Sequence, residues 1–269
     1  MKNLEHIIEP IRTELAQFEA FFERALQADT EPMDSIMHYV LETKGKRLRP
    51  MLMLLGAKLF GEVNERTLRA ATFAEMVHSA TLIHDDVVDD DDLRRGQTSV
   101  KARFGNLSAV LAGDYLLAKA MLLLARPDDY AILQEMLSTT AAMSEGELMQ
   151  DSRPLSPEPV EGSKGRPEDI YLSIITRKTA MLMRSCCVAG ALSVNATPEQ
   201  VEHIADFGLN FGILFQLRDD MLDGENTAEA QALLPEYLEK TQNALKVFPD
   251  SDTLVALQDL TVFCAERED

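Results

Sequence analysis

Six of the eight residues from Asp85 to Asp92 are aspartates, and they directly follow the apolar segment ATFAEMVHSATLIH. On a helix, Asp85 and Asp89 share one face with Asp86 beside them, and like charges at this spacing repel each other. A solvated acidic loop is the simple alternative for one such run. Carboxylates at the end of a buried helix instead favour a divalent cation, because the cation offsets their repulsion.

A second cluster repeats the spacing in FGLNFGILFQLRDDMLD, where the aspartates again close an apolar helix. One such motif is a weak signal, but two copies on separate helices predict facing acidic walls. Mg²⁺ suits hard oxygen ligands of this kind, because it keeps several waters and bridges carboxylates to substrate phosphates. The sequence therefore predicts a diphosphate held through Mg²⁺ between two sets of ligands: Asp85, Asp86 and Asp89, and Asp219, Asp220 and Asp223.

Basic residues adjoin the acidic motifs at three places. They are Lys46, Arg47 and Arg49 in GKRLRP, Arg94 and Arg95 after the first cluster, and Lys178 beside Thr179 in the mostly apolar IITRKTAMLM. Guanidinium groups suit a diphosphate that lacks metal, because their fork geometry matches its oxygens. Two alternatives stay open: GKRLRP could form a solvated turn, and Arg94 and Arg95 could simply neutralise the aspartates before them.

The charge balance argues against one class of partner. The 269 residues include 26 Lys and Arg against 45 Asp and Glu, a formal net charge of −19. A field of this sign repels phosphate backbones, so we expect no nucleic-acid binding. Three cysteines, two of them adjacent, are typical of reduced thiols in a cytoplasmic protein. The most apolar run is interrupted by Asp114 and Lys119, so no transmembrane segment is predicted.

The elements that position these groups are predicted to be helices. Apolar residues recur at spacings of three and four through 4–28, 33–43, 50–60, 65–84, 107–125, 130–149, 168–192, 198–221 and 228–246. Thr197 before Pro198 is typical of a helix start. Residues 151–167 hold four prolines and two glycines, which predicts an exposed loop. The whole pattern predicts an all-α fold with a single domain over residues 1–269.

Five ordered motifs resemble those of the trans-isoprenyl diphosphate synthases, also called the polyprenyl synthetase family. They are GKRLRPML, HSATLIHDDVVDDDDLRRG, GDYLLAKA, KTA and FQLRDDMLD. The resemblance implies a helical bundle around a deep central apolar cavity, usually a homodimer. It implies an enzyme that joins isopentenyl diphosphate to an allylic diphosphate in a head-to-tail condensation. Two or three Mg²⁺ ions on the six aspartates would serve this reaction.

The resemblance also implies roles for single residues. Assistance at the allylic diphosphate would come from Arg94, Lys178, Thr179 and Gln216, and isopentenyl diphosphate would be held by Lys46, Arg49, His78 and Arg95. The residues expected to take part in the chemistry itself are Asp85, Asp86, Asp89, Lys178, Asp219 and Asp220. Taken alone, His78 suits a core histidine equally well. His84 is interpreted as structural, and Cys186 and Cys187 as helix-packing residues.

Product length has its own sequence signal. Ala80 and Thr81 lie five and four positions before Asp85 and should face the growing chain. Both side chains are small, which predicts a long product between C30 and C50, with C40 favoured. The segment HSATLIHDDVVD is also similar to octaprenyl-type synthases of quinone side-chain synthesis.

The match departs from the family after Asp223. Family members continue with a long segment that carries a diphosphate-binding lysine after a glycine, whereas GENTAEAQALLPEYLEKTQNALKVF follows here. Several dozen residues are absent from the gene, or were removed when the expressed protein was prepared, or form a mobile lid that the numbering passes over, the explanation that we favour. Two other functions stay open: a class I terpene cyclase, which shares the first aspartate motif, and a non-catalytic partner subunit of a prenyl synthase.

Overall fold

The protein is a bundle of α-helices with one small hairpin, which confirms the predicted all-α fold. A computed structural model describes residues 4–42, 45–94, 96–151, 167–224 and 227–267. The helices are α1 (Leu4–Ile7), α2 (Arg12–Leu26), α3 (Glu31–Glu42), α4 (Leu48–Lys58), α5 (Glu65–Val88), α6 (Val100–Phe104), α7 (Asn106–Leu124), α8 (Tyr130–Asp151), α9 (Pro167–Ile175), α10 (Met181–Ser193), α11 (Pro198–Asp223), α12 (Thr227–Ala244) and α13 (Asp252–Glu266). Strands β1 (Leu93–Arg94) and β2 (Gln97–Thr98) pair antiparallel.

Helix α5 lies inside the bundle and carries the first aspartate cluster. The Asn64 side chain begins it by accepting hydrogen bonds from the backbone amides of Arg66 and Thr67. Nearly every residue from 67 to 77 is buried, because α2, α4, α7 and α10 surround the helix. Periodicity predicted an end near residue 84, but the helix continues to Val88. Its last turn therefore carries Asp85 and Asp86 into the site.

Helix α11 carries the second cluster and packs between α10 and α12. Thr197 and Gln200 form a capping box at its start, which confirms the predicted helix start. It ends at Asp223, where Gly224 takes the left-handed conformation at φ 75°. Because α12 begins at Thr227, residues 224–226 alone join the two helices. The mobile lid suggested above for the segment after Asp223 stays a prediction.

Two predicted helices are interrupted. The segment 4–28 contains a 3₁₀ turn at Glu9–Ile11, because Pro10 cannot donate a backbone hydrogen bond. The segment 168–192 contains a π-helix at Thr176–Ala180. Helix α13 was not predicted as a separate element, and most of the Pro-rich segment 151–167 lies outside the described residues.

Helix α7 is long and apolar enough to cross a membrane, by length and composition only. It is the one such helix among the ranges described above, and 33% of its apolar window is buried inside the bundle. Apolar core helices have the same length and composition. The absence of a transmembrane segment therefore stays a prediction.

Candidate functional site

The first aspartate cluster lies on the last turn of α5. Asp86 is buried, with 3% of its surface exposed, and it accepts a 2.6 Å hydrogen bond from Nε of Arg94. Asp89 caps the helix and is exposed. Burial raises the pKa of Asp85 to about 6, and the nearby charges of Glu147 and Asp89 add to the rise while Lys178 opposes it. The cluster therefore holds negative charge that its surroundings only partly compensate.

The second cluster lies on the last turn of α11. Asp220 is buried and accepts hydrogen bonds from the Tyr171 hydroxyl at 2.6 Å and from the Gln216 amide at 2.7 Å. Asp219 is paired with the Arg267 guanidinium at the end of α13. Burial still raises the pKa of Asp219, although Arg267 opposes the rise. Asp223 is exposed at the end of the helix.

A cavity of about 680 Å³ contains part of this site: Asp219 and Asp223 of the second cluster line it, whereas the three aspartates of the first cluster and Asp220 do not. It opens between α4, α5, α11 and α13, and aromatic residues such as Phe211 and Phe215 form part of its wall. Its charged and polar lining consists of Lys46, Arg47, Arg49, Glu75, His78, Arg94, Asp219, Asp223 and Arg267. Because Arg94 also donates to Asp86, one side chain links the first cluster to the cavity that Asp219 and Asp223 line.

Two glycines fix the position of the π-helix that carries Lys178. A Cβ at Gly146 would lie 2.8 Å from the backbone nitrogen of Lys178, so α8 approaches this segment closely. A Cβ at Gly212 would lie 2.5 Å from Cα of Ala180, so α11 does the same. A π-helix is frequent at functional sites because it shifts the side chains that follow it.

Lys178 and Thr179 have partners on the two helices that approach the π-helix, α8 and α11. Nζ of Lys178 donates to Glu147 at 2.9 Å and to Gln150 at 3.3 Å, so its surroundings are polar and not apolar as the sequence suggested. The Thr179 hydroxyl donates to Gln216 at 2.7 Å, and Gln216 in turn donates to Asp220. The KTA motif is therefore connected to the second cluster by hydrogen bonds.

The donor set suits Mg²⁺, although the protein alone does not complete a metal site. Among the described residues, no three His, Cys, Asp or Glu side chains gather to hold a metal ion. Mg²⁺ commonly takes one or two carboxylates and completes its shell with waters and substrate phosphates. Burial raises the pKa of Asp85 and of Asp219, because it disfavours their charged forms, and a bound cation would offset that cost.

The remaining predicted residues have separate positions. Ala80 is fully buried, and Thr81 is half-buried with its hydroxyl donating to the backbone oxygen of His78. Neither lines the 680 Å³ cavity, so their contact with a product chain stays a prediction. Arg95 lies outside the described residues. His84 fits against Gly113 of α7, in agreement with its structural interpretation.

Sequence reasoning missed three residues of the site. Arg267 pairs with Asp219, Tyr171 donates to Asp220, and Glu147 accepts from Lys178. All three lie far along the chain from the groups they contact, and no local spacing marks them. A Tyr seven residues before Lys178 has no chemical signature of its own.

Comparisons with known proteins agree with this architecture. A family model described as Polyprenyl synthetase matches residues 30–232. The octaprenyl diphosphate synthase of Haemophilus influenzae is 34% identical over 222 residues, covering 78% of this chain and 65% of that protein. Component 2 of the heptaprenyl diphosphate synthase of Geobacillus stearothermophilus is 36% identical over 217 residues, covering 80% of this chain and 65% of that protein.

Solved structures share the fold over nearly the whole chain. A polyprenyl synthase from Caulobacter crescentus, crystallised with calcium and isoprenyl diphosphate, superposes with a TM-score of 0.87 and 25% identity. The superposition covers 99% of this chain and 98% of that one. The chain nevertheless spans less than two thirds of the length of the two sequence relatives. On the family match and these identities, the chain belongs to the polyprenyl synthetase family.

Proposed function

We propose that this protein is a prenyltransferase that condenses isopentenyl diphosphate with an allylic diphosphate, head to tail. One observation carries the proposal: a single cavity is lined by Lys46, Arg49 and His78 and also by the carboxylates of Asp219 and Asp223. Arg94 extends this cavity to the first aspartate cluster. Such a site has room for two diphosphates, one held by cationic side chains and one held between carboxylates through metal.

Mg²⁺, as two or three ions on Asp85, Asp86, Asp89, Asp219, Asp220 and Asp223, would supply neutralisation of the allylic diphosphate. Lys178 would add a positive charge close to Asp85, which its influence on the Asp85 pKa supports. The bond from Thr179 to Gln216 would keep Asp220 oriented. Charge stabilisation by preorganised groups is commonly the largest part of a catalytic effect.

The condensation then balances without a nucleophilic side chain. The allylic carbon–oxygen bond ionises, and the carbocation is attacked by the double bond of isopentenyl diphosphate held by Lys46, Arg49, His78 and Arg95. A proton lost from the adduct goes to the released diphosphate. Burial raises the pKa of Cys264, which lines the cavity, to about 12, so this thiol stays protonated and takes no part.

Incubation with Mg²⁺, farnesyl diphosphate and labelled isopentenyl diphosphate, followed by sizing of the extracted products, tests this function. We expect one series of elongated prenyl chains. A cyclic hydrocarbon would instead identify a terpene cyclase. No turnover by the chain alone, with turnover restored by a second subunit, would identify a partner subunit of a two-component synthase.

We further propose a long product, with C40 favoured, of the kind used for quinone side chains. The small side chains of Ala80 and Thr81 on α5 support this length, as do the names of the octaprenyl and heptaprenyl relatives. Replacing Ala80 by Tyr would place a ring one turn below the aspartates. The Ala80→Tyr variant should release shorter chains, and an unchanged product distribution would reject this account of chain length.

We propose that the protein acts as a cytoplasmic homodimer. Helix α7 presents Leu107, Leu111 and Leu122 with 75%, 50% and 70% of their surfaces exposed, along one side of the helix. Pairing of two such faces would bury them. Sedimentation of the wild type and of Leu111→Asp tests the proposal, because the charged variant should sediment as a monomer while the wild type sediments as a dimer.

A further inference from the structure

Arg47 lies between the two proposed phosphate ligands of the GKRLRP turn, but carboxylates from two other helices engage its guanidinium. Nε donates to Glu19 on α2 at 2.8 Å, and Nη1 donates to Glu75 on α5 at 2.6 Å. The guanidinium also lies 4.9 Å from the ring centre of Phe22. Only 11% of the Arg47 side chain and 7% of the Glu75 side chain are exposed. The ion pair between Arg47 and Glu75 is therefore largely buried.

The backbone at Arg47 has an unusual conformation. Its φ of 56° and ψ of 31° place it in the left-handed region, which disfavours a residue with a long side chain. Such a conformation persists only where the surroundings determine it strongly, and it is often found at functional sites. Here the contacts of the guanidinium with the two carboxylates and with the Phe22 ring hold Arg47 in this conformation.

The left-handed turn sets the direction in which its neighbours leave the chain. The backbone oxygen of Arg47 accepts a 3.0 Å bond from Met51 and so begins α4. Lys46 immediately before the turn and Arg49 after it both line the cavity. Glu75 lies one turn before His78 on α5, so the same ion pair ties the turn to the helix that carries His78.

We propose that Arg47 is a positioning residue whose ion pairs with Glu19 and Glu75 hold the left-handed turn that aims Lys46 and Arg49 at one diphosphate. The inference rests on the proposed function, because that function names isopentenyl diphosphate as the ligand of Lys46 and Arg49. A positioning role for Arg47 differs from direct binding of the diphosphate by Arg47. If Arg47 bound the diphosphate itself, removal of Glu19 would release the guanidinium and leave the affinity unchanged or raised.

The test uses Glu19→Ala, because Glu19 lies on α2 and does not line the cavity. Calorimetric titration with inorganic pyrophosphate should show an affinity about ten-fold weaker than that of the wild type. In turnover assays the KM for isopentenyl diphosphate should rise about ten-fold, with the KM for farnesyl diphosphate within about two-fold. Arg47→Lys should show a similar loss, because an ammonium group cannot bridge two carboxylates in a fixed plane.

Glu14→Ala is the matched control. Glu14 also lies on α2 and pairs with Lys58 at the far end of α4, so its loss weakens the same helix contact away from the turn. This variant should change the thermal stability. It should leave the KM for isopentenyl diphosphate and the KM for farnesyl diphosphate unchanged.

Unchanged pyrophosphate affinity in Glu19→Ala would overturn the inference, as would an equal rise in both KM values. A wild type that binds pyrophosphate without turnover would reject the proposed function but leave the pyrophosphate comparison decisive for Arg47.

Discussion

The two aspartate clusters share a sequence spacing but differ in how their charge is compensated. In the first, the buried Asp86 is held by one cation, Arg94, while Asp85 has a pKa raised to about 6. In the second, the buried Asp220 is held by two neutral donors, and the outer Asp219 is paired with Arg267. The second cluster is therefore oriented and partly neutralised by the protein itself.

This difference indicates that the two clusters have different roles in the proposed site. A cluster with a built-in cation and two neutral hydrogen bonds holds its geometry without metal. In the first cluster Arg94 pairs with Asp86, but Asp85 is compensated only in part, so it gains more from an incoming cation, which removes an electrostatic cost already present in the fold. We therefore expect the first cluster to respond more strongly to Mg²⁺.

The largest expected effect tests whether both clusters are needed. Asp85→Ala and Asp219→Ala should each lower kcat/KM for chain elongation by about 10³-fold, because each removes charge that would act on the leaving diphosphate. Labelled isopentenyl diphosphate incorporation measures the loss. Asp92→Ala is the matched control: it belongs to the same acidic run, is 79% exposed, and should remain within about two-fold of the wild type. Full activity of either cluster variant would remove that cluster from the site.

The next effect concerns the built-in cation of the second cluster. Arg267→Met should tighten Mn²⁺ binding without substrate by about ten-fold, because Asp219 loses the guanidinium that competes with metal. Paramagnetic resonance of free Mn²⁺ measures this affinity. Lys240→Met removes a cation that pairs with Glu236 on α12 and should leave the affinity as it is. An unchanged affinity in Arg267→Met would show that Arg267 does not compete with metal.

A smaller effect separates the clusters by stability. The Asp85 pKa rises from 3.8 to about 6 on folding, so the folded state binds its proton more tightly than the unfolded chain does. The charged carboxylate therefore reduces stability as pH rises through this range, and the reduction disappears below 3.8. Metal-free Asp85→Asn should gain on the order of 1 kcal/mol at pH 7.5, a value discounted because solvent reaches this carboxylate.

Asp219→Asn provides the comparison for that measurement. It should gain less than Asp85→Asn, since Arg267 already compensates the Asp219 charge. Thermal unfolding at pH 7.5 and at pH 4 measures both variants. Equal gains at pH 7.5, or a gain for Asp85→Asn that persists at pH 4, would contradict the proposed difference between the clusters.

The smallest effect concerns the neutral donors. Tyr171→Phe removes one of the two hydrogen bonds to Asp220 and should cost about 1 kcal/mol of stability, with a loss of activity of only a few-fold. Urea unfolding measures the stability. Tyr115→Phe removes a weak 3.5 Å bond to the backbone of Gln27 and should change nothing measurable. A loss as large as that of the aspartate variants would make Tyr171 part of the reaction chemistry.

Periodicity predicted most helices because a buried stripe of apolar residues is a local property of the sequence. The start of α11 at Thr197 and Pro198 was predicted for the same reason, since capping depends on neighbouring residues. The π-helix at Thr176–Ala180 was not predicted, because no local spacing marks it and its close neighbours, α8 at Gly146 and α11 at Gly212, are distant in sequence. Contacts between distant helices leave no spacing to find.

The site was predicted to a similar extent. The aspartates and GKRLRP are recognisable by residue type. The cavity is lined by residues of GKRLRP and of the two aspartate motifs: Lys46, Arg49, His78, Arg94, Asp219 and Asp223. Arg47 was grouped with its basic neighbours, yet tertiary contacts with Glu19 and Glu75 give it a different environment. Arg267 carries no motif, and only the packing of α13 against α11 brings it to Asp219.

The three thiols have a practical consequence. Cys186, Cys187 and Cys264 are all buried, and burial raises the pKa of Cys186 and of Cys264 to about 12. A thiol-specific dye should therefore react with Cys186 and Cys187 only when the helices around them separate, whereas Cys264 also lines the 680 Å³ cavity. The rate of labelling would report the opening of the bundle in the native protein, and its slowing by added diphosphate would measure ligand binding without any need for catalysis.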